Sequence, residues 1–115
     1  MIFISYSWAD APLARSVANL LIEQGHQVWI DYQNLNLTKP LAPQLAQAIW
    51  TADLFLFIDS SYARSSRWVQ FELFLARIWC KSIQIIYPLN EASVIGSSDD
   101  VSRLLLKSTV DILPI

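Results

Sequence analysis

Short apolar runs alternate along the chain with stretches whose apolar residues recur at helical spacing. The first run covers residues 2–6. Asp10 follows where a helix N-cap belongs, Pro12 suits the first turn of that helix, and Gly25 suits the position just past its end. This alternation of strand-like and helix-like segments predicts an α/β fold.

The middle of the chain repeats this pattern. A second strand is predicted over residues 27–32, and a polar loop over 33–39 leads to a helix from about Pro40 to Thr51. Residues 54–58 are an unbroken apolar run, which is typical of a central parallel strand covered on both faces.

The C-terminal half predicts one more helix and two more strands. Ser65 or Ser66 caps a helix over residues 67–81, and a fourth strand covers 83–89. We expect a mobile loop at 90–100, an amphipathic segment at 101–107 and an edge strand at 110–113.

Right-handed crossovers between these strands imply a flavodoxin-like three-layer sandwich with a central five-stranded parallel sheet. Ligands of such sheets bind at the carboxyl ends of the strands. The loops that follow those ends cover residues 5–10, 33–39 and 59–68.

Composition narrows the class of protein. The chain has 115 residues, which predicts a single domain, excised from a larger protein or free-standing. It is 54% hydrophobic and 16% charged, which excludes disorder, and the net charge of −2 without any run of like charges argues against a nucleic-acid partner.

Metal, redox and membrane functions find little support in the sequence. A single cysteine, Cys80, and a single histidine, His26, cannot build a zinc site or a disulfide framework, and Cys80 is expected to be a small buried hydrophobe. No apolar run has the length of a membrane span and no basic leader is present, so a cytoplasmic location is expected.

Two nucleotide or phosphate chemistries are disfavoured. Gly25 and Gly96 are the only glycines, so the dinucleotide fingerprint and the P-loop are both absent. Asp59 could serve as the aspartate of a phospho-accepting receiver domain, but that chemistry also needs acidic residues after the first strand, where this chain has Ser5-Tyr6-Ser7-Trp8.

Glu72 is the anomaly of the third long helix. On a helical wheel, Gln70 and Arg77 mark the solvent side. The opposite, apolar side holds Trp68, Glu72, Leu75, Ala76 and Trp79. A carboxylate in an apolar sector is either a functional group or a structural one, here paired with Arg64 or Arg67 or lying at the sheltered rim of the helix. The pattern leaves both interpretations open.

Four sequence segments together resemble the Toll/interleukin receptor (TIR) domain of the prokaryotic type. They are Phe3-Ile4-Ser5-Tyr6-Ser7 with Asp10; Gly25 through Val28-Trp29-Ile30-Asp31; Ala52-Asp53; and Ser60-Ser61-Tyr62 with Ser65, Trp68 and Glu72. The chain departs from the family in the second loop, where a Pro-Gly pair is common and this sequence has Thr38-Lys39-Pro40.

The resemblance implies an activity, since many such domains cleave the nicotinamide–ribose bond of NAD⁺. The family's catalytic glutamate falls on Glu72, NAD⁺ is the substrate, and no cofactor or metal is implied. The expected substrate-binding residues are Ser5, Tyr6, Ser7, Asp31, Leu35, Ser60, Ser61, Ser65 and Trp68. Several of these also suit structural roles: Tyr6 in the core, Asp31 in a turn and Ser65 at a helix cap.

The resemblance further implies an effector of prokaryotic antiviral defence or signalling, attached to or partnered with a sensor module. Self-association into filaments or higher oligomers is expected, because five Trp and five Phe exceed what so small a core can hide. The candidate contact residues are Phe71, Phe74, Ile78, Trp8, Trp50 and the stretch Leu35 to Leu37. The rival interpretation is a non-catalytic adaptor that signals through TIR–TIR contacts.

Overall fold

The computed structural model describes residues 1–88 and 112–113, which form one sheet with helices on both faces. The strands are β1 (Ile2–Ser5), β2 (Val28–Trp29), β3 (Leu54–Ile58), β4 (Ile83–Ile86) and β5 (Ile112–Leu113). The helices are α1 (Ala11–Glu23), α2 (Asp31–Asn34), α3 (Leu41–Thr51), α4 (Ser61–Ser65) and α5 (Arg67–Ile78), and a 3₁₀ turn at Trp8–Asp10 precedes α1.

The sheet has the order β2-β1-β3-β4-β5, which confirms the flavodoxin-like fold. β1 to β4 are parallel, as expected, but β5 pairs with β4 in the antiparallel direction, so the prediction of a wholly parallel sheet was wrong. The crossover rule that supported it applies only to parallel connections, and a short edge strand on a parallel sheet often runs the other way.

Alternate residues of the central strands supply two apolar cores. Ile4 and Ile58 face α1, where they pack with Val17. Phe3 and Phe55 point to the opposite face, against α3 and α5, and their rings stack with centroids 5.4 Å apart. The continuous apolar runs of the sequence are thus explained by helices on both faces.

Two of the three long helices that flank the sheet, α1 and α5, end in the same kind of turn. At the end of α1, Gly25 has a φ of 91°, and the next residue, His26, donates its N–H to the Leu21 carbonyl at 3.0 Å. At the end of α5, Cys80 takes the same role with a φ of 53°, and Lys81 donates to the Ala76 carbonyl at 2.9 Å.

This turn corrects two predictions about α5. The helix ends at Ile78 rather than near residue 81, because the left-handed backbone at Cys80 closes it. Cys80 is exposed rather than buried for the same reason, since it lies past the end of the packed helix. The N-cap is Ser66, whose side chain accepts from the Val69 N–H, and not Ser65, which belongs to α4.

The chain after β2 turns earlier than predicted. The strand lasts only two residues, and Asp31 begins α2 where residues 31 and 32 were expected to continue the strand. The Asn34 side chain causes this turn by accepting the Ile30 N–H at 2.9 Å, so α2 takes up the first part of the predicted polar loop.

The remaining predictions concern the chain from β4 to the C-terminus. β4 ends at Ile86 rather than at residue 89, two residues before Pro88. Residue 89, the loop at 90–100 and the amphipathic segment at 101–107 lie outside the described residues. Within the described part of the chain, the helices are too short or too polar to cross a bilayer.

Candidate functional site

The candidate site lies at the carboxyl ends of β1 and β2. β1 and β3 are neighbours whose following helices pack on opposite faces of the sheet, which is the topological switch point where such folds bind ligands. Ser5 ends β1, and its fully buried hydroxyl donates to Glu72 Oε1 of α5 at 2.8 Å. Residues that are 67 positions apart are therefore joined at this edge.

The Glu72 carboxyl is buried, with 8% of the residue exposed. Burial raises its pKa from 4.5 to about 8, the Ser5 hydrogen bond lowers it in part, and the charge of Asp31 raises it further. The prediction that Glu72 lies on the buried side of its helix is confirmed.

Glu72 is not held by an arginine. Arg64 Nε instead pairs with Asp59 Oδ1 at 3.1 Å, and Arg67 is exposed in the first turn of α5. The salt bridges among the described residues do not include Glu72. The interpretation of Glu72 as half of an ion pair with Arg64 or Arg67 was therefore wrong, because Asp59 offers Arg64 a partner nearer the surface.

Asp31 is the second carboxylate of the site. Tyr6 donates its hydroxyl to Asp31 Oδ1, and Trp8 donates its indole N–H to Asp31 Oδ2 at 2.7 Å. The Tyr6 ring is buried while Trp8 is 77% exposed, so Asp31 ties a core residue to a surface residue. The charge of Asp31 raises the pKa of Glu72, but burial raises it more.

An open cleft of about 340 Å³ adjoins Asp31. Its lining consists of Tyr6, Trp8, Ala11, Arg15, Asp31, Leu35 and Leu37. Glu72 is not part of the lining, and its hydrogen bond is to Ser5, which precedes the lining residue Tyr6 in the chain. The volume is in the lower range for small-molecule sites, and the walls are mostly apolar with a few polar groups.

Five of the predicted site residues come together here: Ser5, Tyr6, Asp31, Leu35 and Glu72. Leu35 has two roles, because it lines the cleft and also packs against the core beneath α3 and α5.

The other four predicted serines are outside this group and have local partners. Ser7 caps the 3₁₀ turn, accepting from the Ala9 N–H at 3.4 Å. Ser60 is buried, donates to Asp10 and caps α4 through the Ala63 N–H at 3.1 Å. Ser61 and Ser65 are exposed on α4, and the Ser65 hydroxyl donates to the Ser61 carbonyl at 3.4 Å.

Trp68 does not lie on the buried side of α5 as predicted, since it is 49% exposed and contacts Phe71 edge to face. The buried position in that turn is taken by Val69, which is 1% exposed. The buried stripe of α5 runs through Val69, Leu73 and Ala76. The predicted buried side of the helix was therefore displaced by about one residue position. Glu72 is buried on either setting.

Arg15 is a cleft residue that the sequence reasoning missed. It stands one helical turn after Ala11, so both side chains project from the same side of α1 toward the carboxyl end of β1. That spacing, in the first helix after a strand end, was the available signal. Among the described residues, no group of three His, Cys, Asp or Glu side chains could hold a metal ion.

The fold and site define a flavodoxin-like α/β domain with a ligand cleft at the switch point of its sheet. A family model of the TIR domain matches residues 2–95, and the chain belongs to that family. The family includes NAD-cleaving enzymes, and TIR domains generally interact with one another through TIR–TIR contacts. No curated protein matches this chain.

Proposed function

We propose that this TIR domain is an NAD⁺ glycohydrolase with Glu72 as its catalytic residue. It breaks the bond between nicotinamide and ribose and releases nicotinamide with ADP-ribose or a cyclic ADP-ribose isomer. The observation that carries the proposal is the buried Glu72 carboxyl, which has no cationic partner among the described residues and is hydrogen-bonded to Ser5, the residue before Tyr6 of the cleft.

The chemistry needs one carboxylate. The C1′–N bond breaks with its electron pair moving onto the pyridinium nitrogen, so nicotinamide leaves as a neutral molecule and needs no acid. The ribose then carries oxocarbenium charge, which an ionised Glu72 stabilises in a site of low dielectric. Water adds at C1′ and a proton passes to solvent, which balances the hydrolysis.

The other residues have proposed roles along the substrate. Arg15 is the cation of the cleft and suits the pyrophosphate, while Trp8 offers an exposed ring on which a base can stack. Trp68, one helical turn before Glu72, flanks the nicotinamide end. Ser7, Ser60, Ser61 and Ser65 remain proposed hydroxyl contacts, with the structural bonds given above.

In its setting, the domain is proposed to be a cytoplasmic effector of prokaryotic antiviral defence or signalling. It is a single TIR domain, attached to or partnered with a sensor, and it works as a filament or higher oligomer. The exposure of Trp50, Phe74 and Ile78, at 61%, 59% and 53%, supports an assembling surface.

The activity test is incubation with NAD⁺ and chromatographic detection of nicotinamide. It is run on the assembled protein with its parent protein and trigger present. Release of one nicotinamide per NAD⁺ consumed is expected, and a protein that assembles but leaves NAD⁺ intact would overturn the proposal.

The second candidate function is a non-catalytic adaptor. It is favoured by the same exposed apolar side chains and by the small exposed fraction of Glu72. An adaptor assembles and recruits its partner without consuming NAD⁺, and Glu72→Gln leaves that recruitment unchanged.

A further inference from the structure

Ser5 is a polar side chain at a position whose neighbours are apolar. It ends β1, which lies between β2 and β3 in the sheet, and it stands opposite Phe57 of β3. Alternate residues of a strand share a face, so Ser5 is on the same face as Phe3, which packs in the core beneath α3 and α5. Ser5 is itself 0% exposed, and a buried hydroxyl needs a polar partner.

Glu72 of α5 is that partner. The Ser5 hydroxyl donates to Glu72 Oε1 at 2.8 Å, and both side chains are buried. Three other serines that follow strands or precede helices, namely Ser7, Ser60 and Ser66, each cap a helical turn. The hydroxyl of Ser5 differs from theirs because the group that it contacts is a buried carboxyl on another element of the fold.

The two oxygens of the Glu72 carboxyl have different surroundings. Oε1 accepts from Ser5, while Oε2 accepts no hydrogen bond within residues 1–88 and 112–113. In the same part of the chain, every fully buried side-chain oxygen or nitrogen has a hydrogen-bond partner. Oε2 is therefore in part open to solvent, in agreement with the 8% of Glu72 that stays exposed. The bond from Ser5 holds the inner oxygen and leaves the outer oxygen for a ligand.

This bond fixes a torsion that burial alone leaves loose. The last torsion of a glutamate side chain is broad, so a second contact is needed to set the direction of its two oxygens. We propose that Ser5 is a positioning residue: its hydroxyl orients the Glu72 carboxyl so that Oε2 faces the ligand, and Ser5 acts on the reaction through Glu72 without touching the substrate. The identity of that reaction rests on the proposed function.

The elements packed against α5 bring no unpaired cation to Glu72 within the described residues. β1, β3, β4 and α3 contain no Asp, Glu, Lys, Arg or His. α4 contributes Arg64, which is paired with Asp59 at 3.1 Å. The arginines of α5 itself, Arg67 and Arg77, are exposed. Among these residues, the hydrogen bond that an ionised Glu72 receives before a ligand binds is the one from Ser5.

The same hydroxyl favours the ionised form of Glu72. Burial raises the pKa of Glu72 to about 8, the Ser5 hydrogen bond opposes that rise, and the charge of Asp31 adds to it. Ser5 therefore has two effects on the carboxyl that can be measured separately: the direction of its oxygens and the pH at which it ionises.

Loss of the hydroxyl should lower kcat and leave KM within about twofold, because the lost contact acts on the group that stabilises the transition state. Ser5→Ala removes the hydroxyl. Ser5→Cys keeps the size of the side chain and replaces the hydroxyl by a weak donor. We expect kcat to fall about tenfold or more in both variants, as for the loss of a hydrogen bond to a charged group.

The pH profile separates this role from a merely structural one. Glu72 acts as a carboxylate, so kcat/KM rises with pH as Glu72 ionises. Without the donor the ionised form is less favoured, so the rise should move to higher pH in Ser5→Ala and Ser5→Cys. Ser66→Ala is the matched control, since it removes the serine hydroxyl that caps α5. It should lower the melting temperature and leave the rise where it is.

The experiment measures NAD⁺ cleavage by the assembled full chain over a pH range centred on about 8. The carboxyl carbon of Glu72 is followed by NMR over the same range in the same variants. Wild-type kcat with an unmoved rise in Ser5→Ala and Ser5→Cys would overturn the positioning role. An equal movement of the rise in Ser66→Ala would overturn it as well, because any loosening of α5 would then suffice.

Failure of the proposed function has a different signature. A wild-type protein that assembles but leaves NAD⁺ intact overturns the proposed function, and the NMR titration then decides the role of Ser5. Movement of the Glu72 titration to higher pH in Ser5→Ala and Ser5→Cys, but not in Ser66→Ala, supports the positioning of the carboxyl by Ser5. A titration that none of the three variants moves overturns it.

Discussion

At the scale of single residues, the buried position of Glu72 lowers the free energy of unfolding. Its side chain is buried with one hydroxyl donor and with the charge of Asp31 nearby. An apolar side chain or an amide in this position would be easier to bury than an acid that must ionise. That cost is typical of a group kept for function.

The free energy of unfolding should therefore fall as pH rises. The pKa of Glu72 is about 8 in the folded state against an ordinary 4.5, so the folded state holds a proton that the unfolded state has lost. Stability is full below the ordinary pKa and declines up to about pH 8. Urea unfolding across this range checks the slope.

Glu72→Gln removes this titration and should stabilise the protein by a few kcal/mol above about pH 8. Glu23→Gln, at the exposed end of α1, should keep the wild-type slope. A slope that survives in Glu72→Gln would place the linked group elsewhere.

Cys80 gives a second residue-scale prediction, because it occupies a left-handed position without being glycine. Cys80→Gly should raise the free energy of unfolding by about 1 kcal/mol, since glycine adopts this backbone without strain. Gly25→Ala is the opposite change. A Cβ there would meet nothing within 4 Å, so a loss of about 1 kcal/mol would report backbone strain without a clash.

At the scale of elements, the apolar runs were enough to predict the strands, and the helix signals were enough to predict α1 and α3. What the sequence did not show depends on side chains that reach across short distances. Asn34 turns the chain after β2 by accepting from Ile30, and Val69 rather than Trp68 takes the buried position in α5. A helical wheel drawn from the sequence does not determine which side of the helix faces the sheet.

The candidate site divides in the same way. Glu72 could be found because a carboxylate in an apolar stripe is rare. The sequence could not show which hydroxyl residue contacts Glu72, because Ser5 and Ser60 both lie near strand ends. Only the fold shows that Ser5 bonds Glu72 and that Ser60 caps α4. The only sequence signal that placed Arg15 at the cleft was its spacing of one helical turn from Ala11.

The segment between α2 and α3 yields an element-scale prediction. Gln44 Nε2 donates to the carbonyl of Asn36 at 2.7 Å and to that of Pro40 at 3.0 Å, and Gln44 Oε1 accepts the Asn36 N–H at 2.8 Å. These bonds hold both ends of the segment 36–40, which contains the cleft residue Leu37. Gln44→Ala should speed amide exchange over residues 35–40 and raise KM several-fold with little effect on kcat.

The control for this prediction is Gln47→Ala, an exposed position one turn further along α3. It should leave both amide exchange and KM as in the wild type. Unchanged exchange in Gln44→Ala would mean that the segment is ordered by its backbone alone.

At the scale of the whole molecule, a small core leaves large apolar side chains on the surface. Trp50 packs edge-on against Trp79 yet stays 61% exposed, and Phe74 and Ile78 project from α5. Leu37 is 78% exposed at the cleft, whereas Leu35 packs against the core. Leu37 is thus the better loop position at which to test assembly without damaging the fold.

Phe74→Asp and Leu37→Asp should each weaken self-association, because a charge replaces an exposed apolar side chain. Sedimentation velocity measures the oligomer, and nicotinamide release is followed over the same protein concentrations. We expect activity to fall together with assembly. Full specific activity in a strictly monomeric sample would show that assembly is not required.

The central claim is that Glu72 carries out the cleavage, and kcat/KM for NAD⁺ in Glu72→Gln tests it most directly. The substitution preserves size and removes the charge, so a loss of about a hundredfold or more is expected, with the oligomer unchanged. Glu23→Gln is the matched control and should stay within about twofold of the wild type, as expected for a surface change away from the site. Wild-type cleavage by an assembled Glu72→Gln protein would contradict the account.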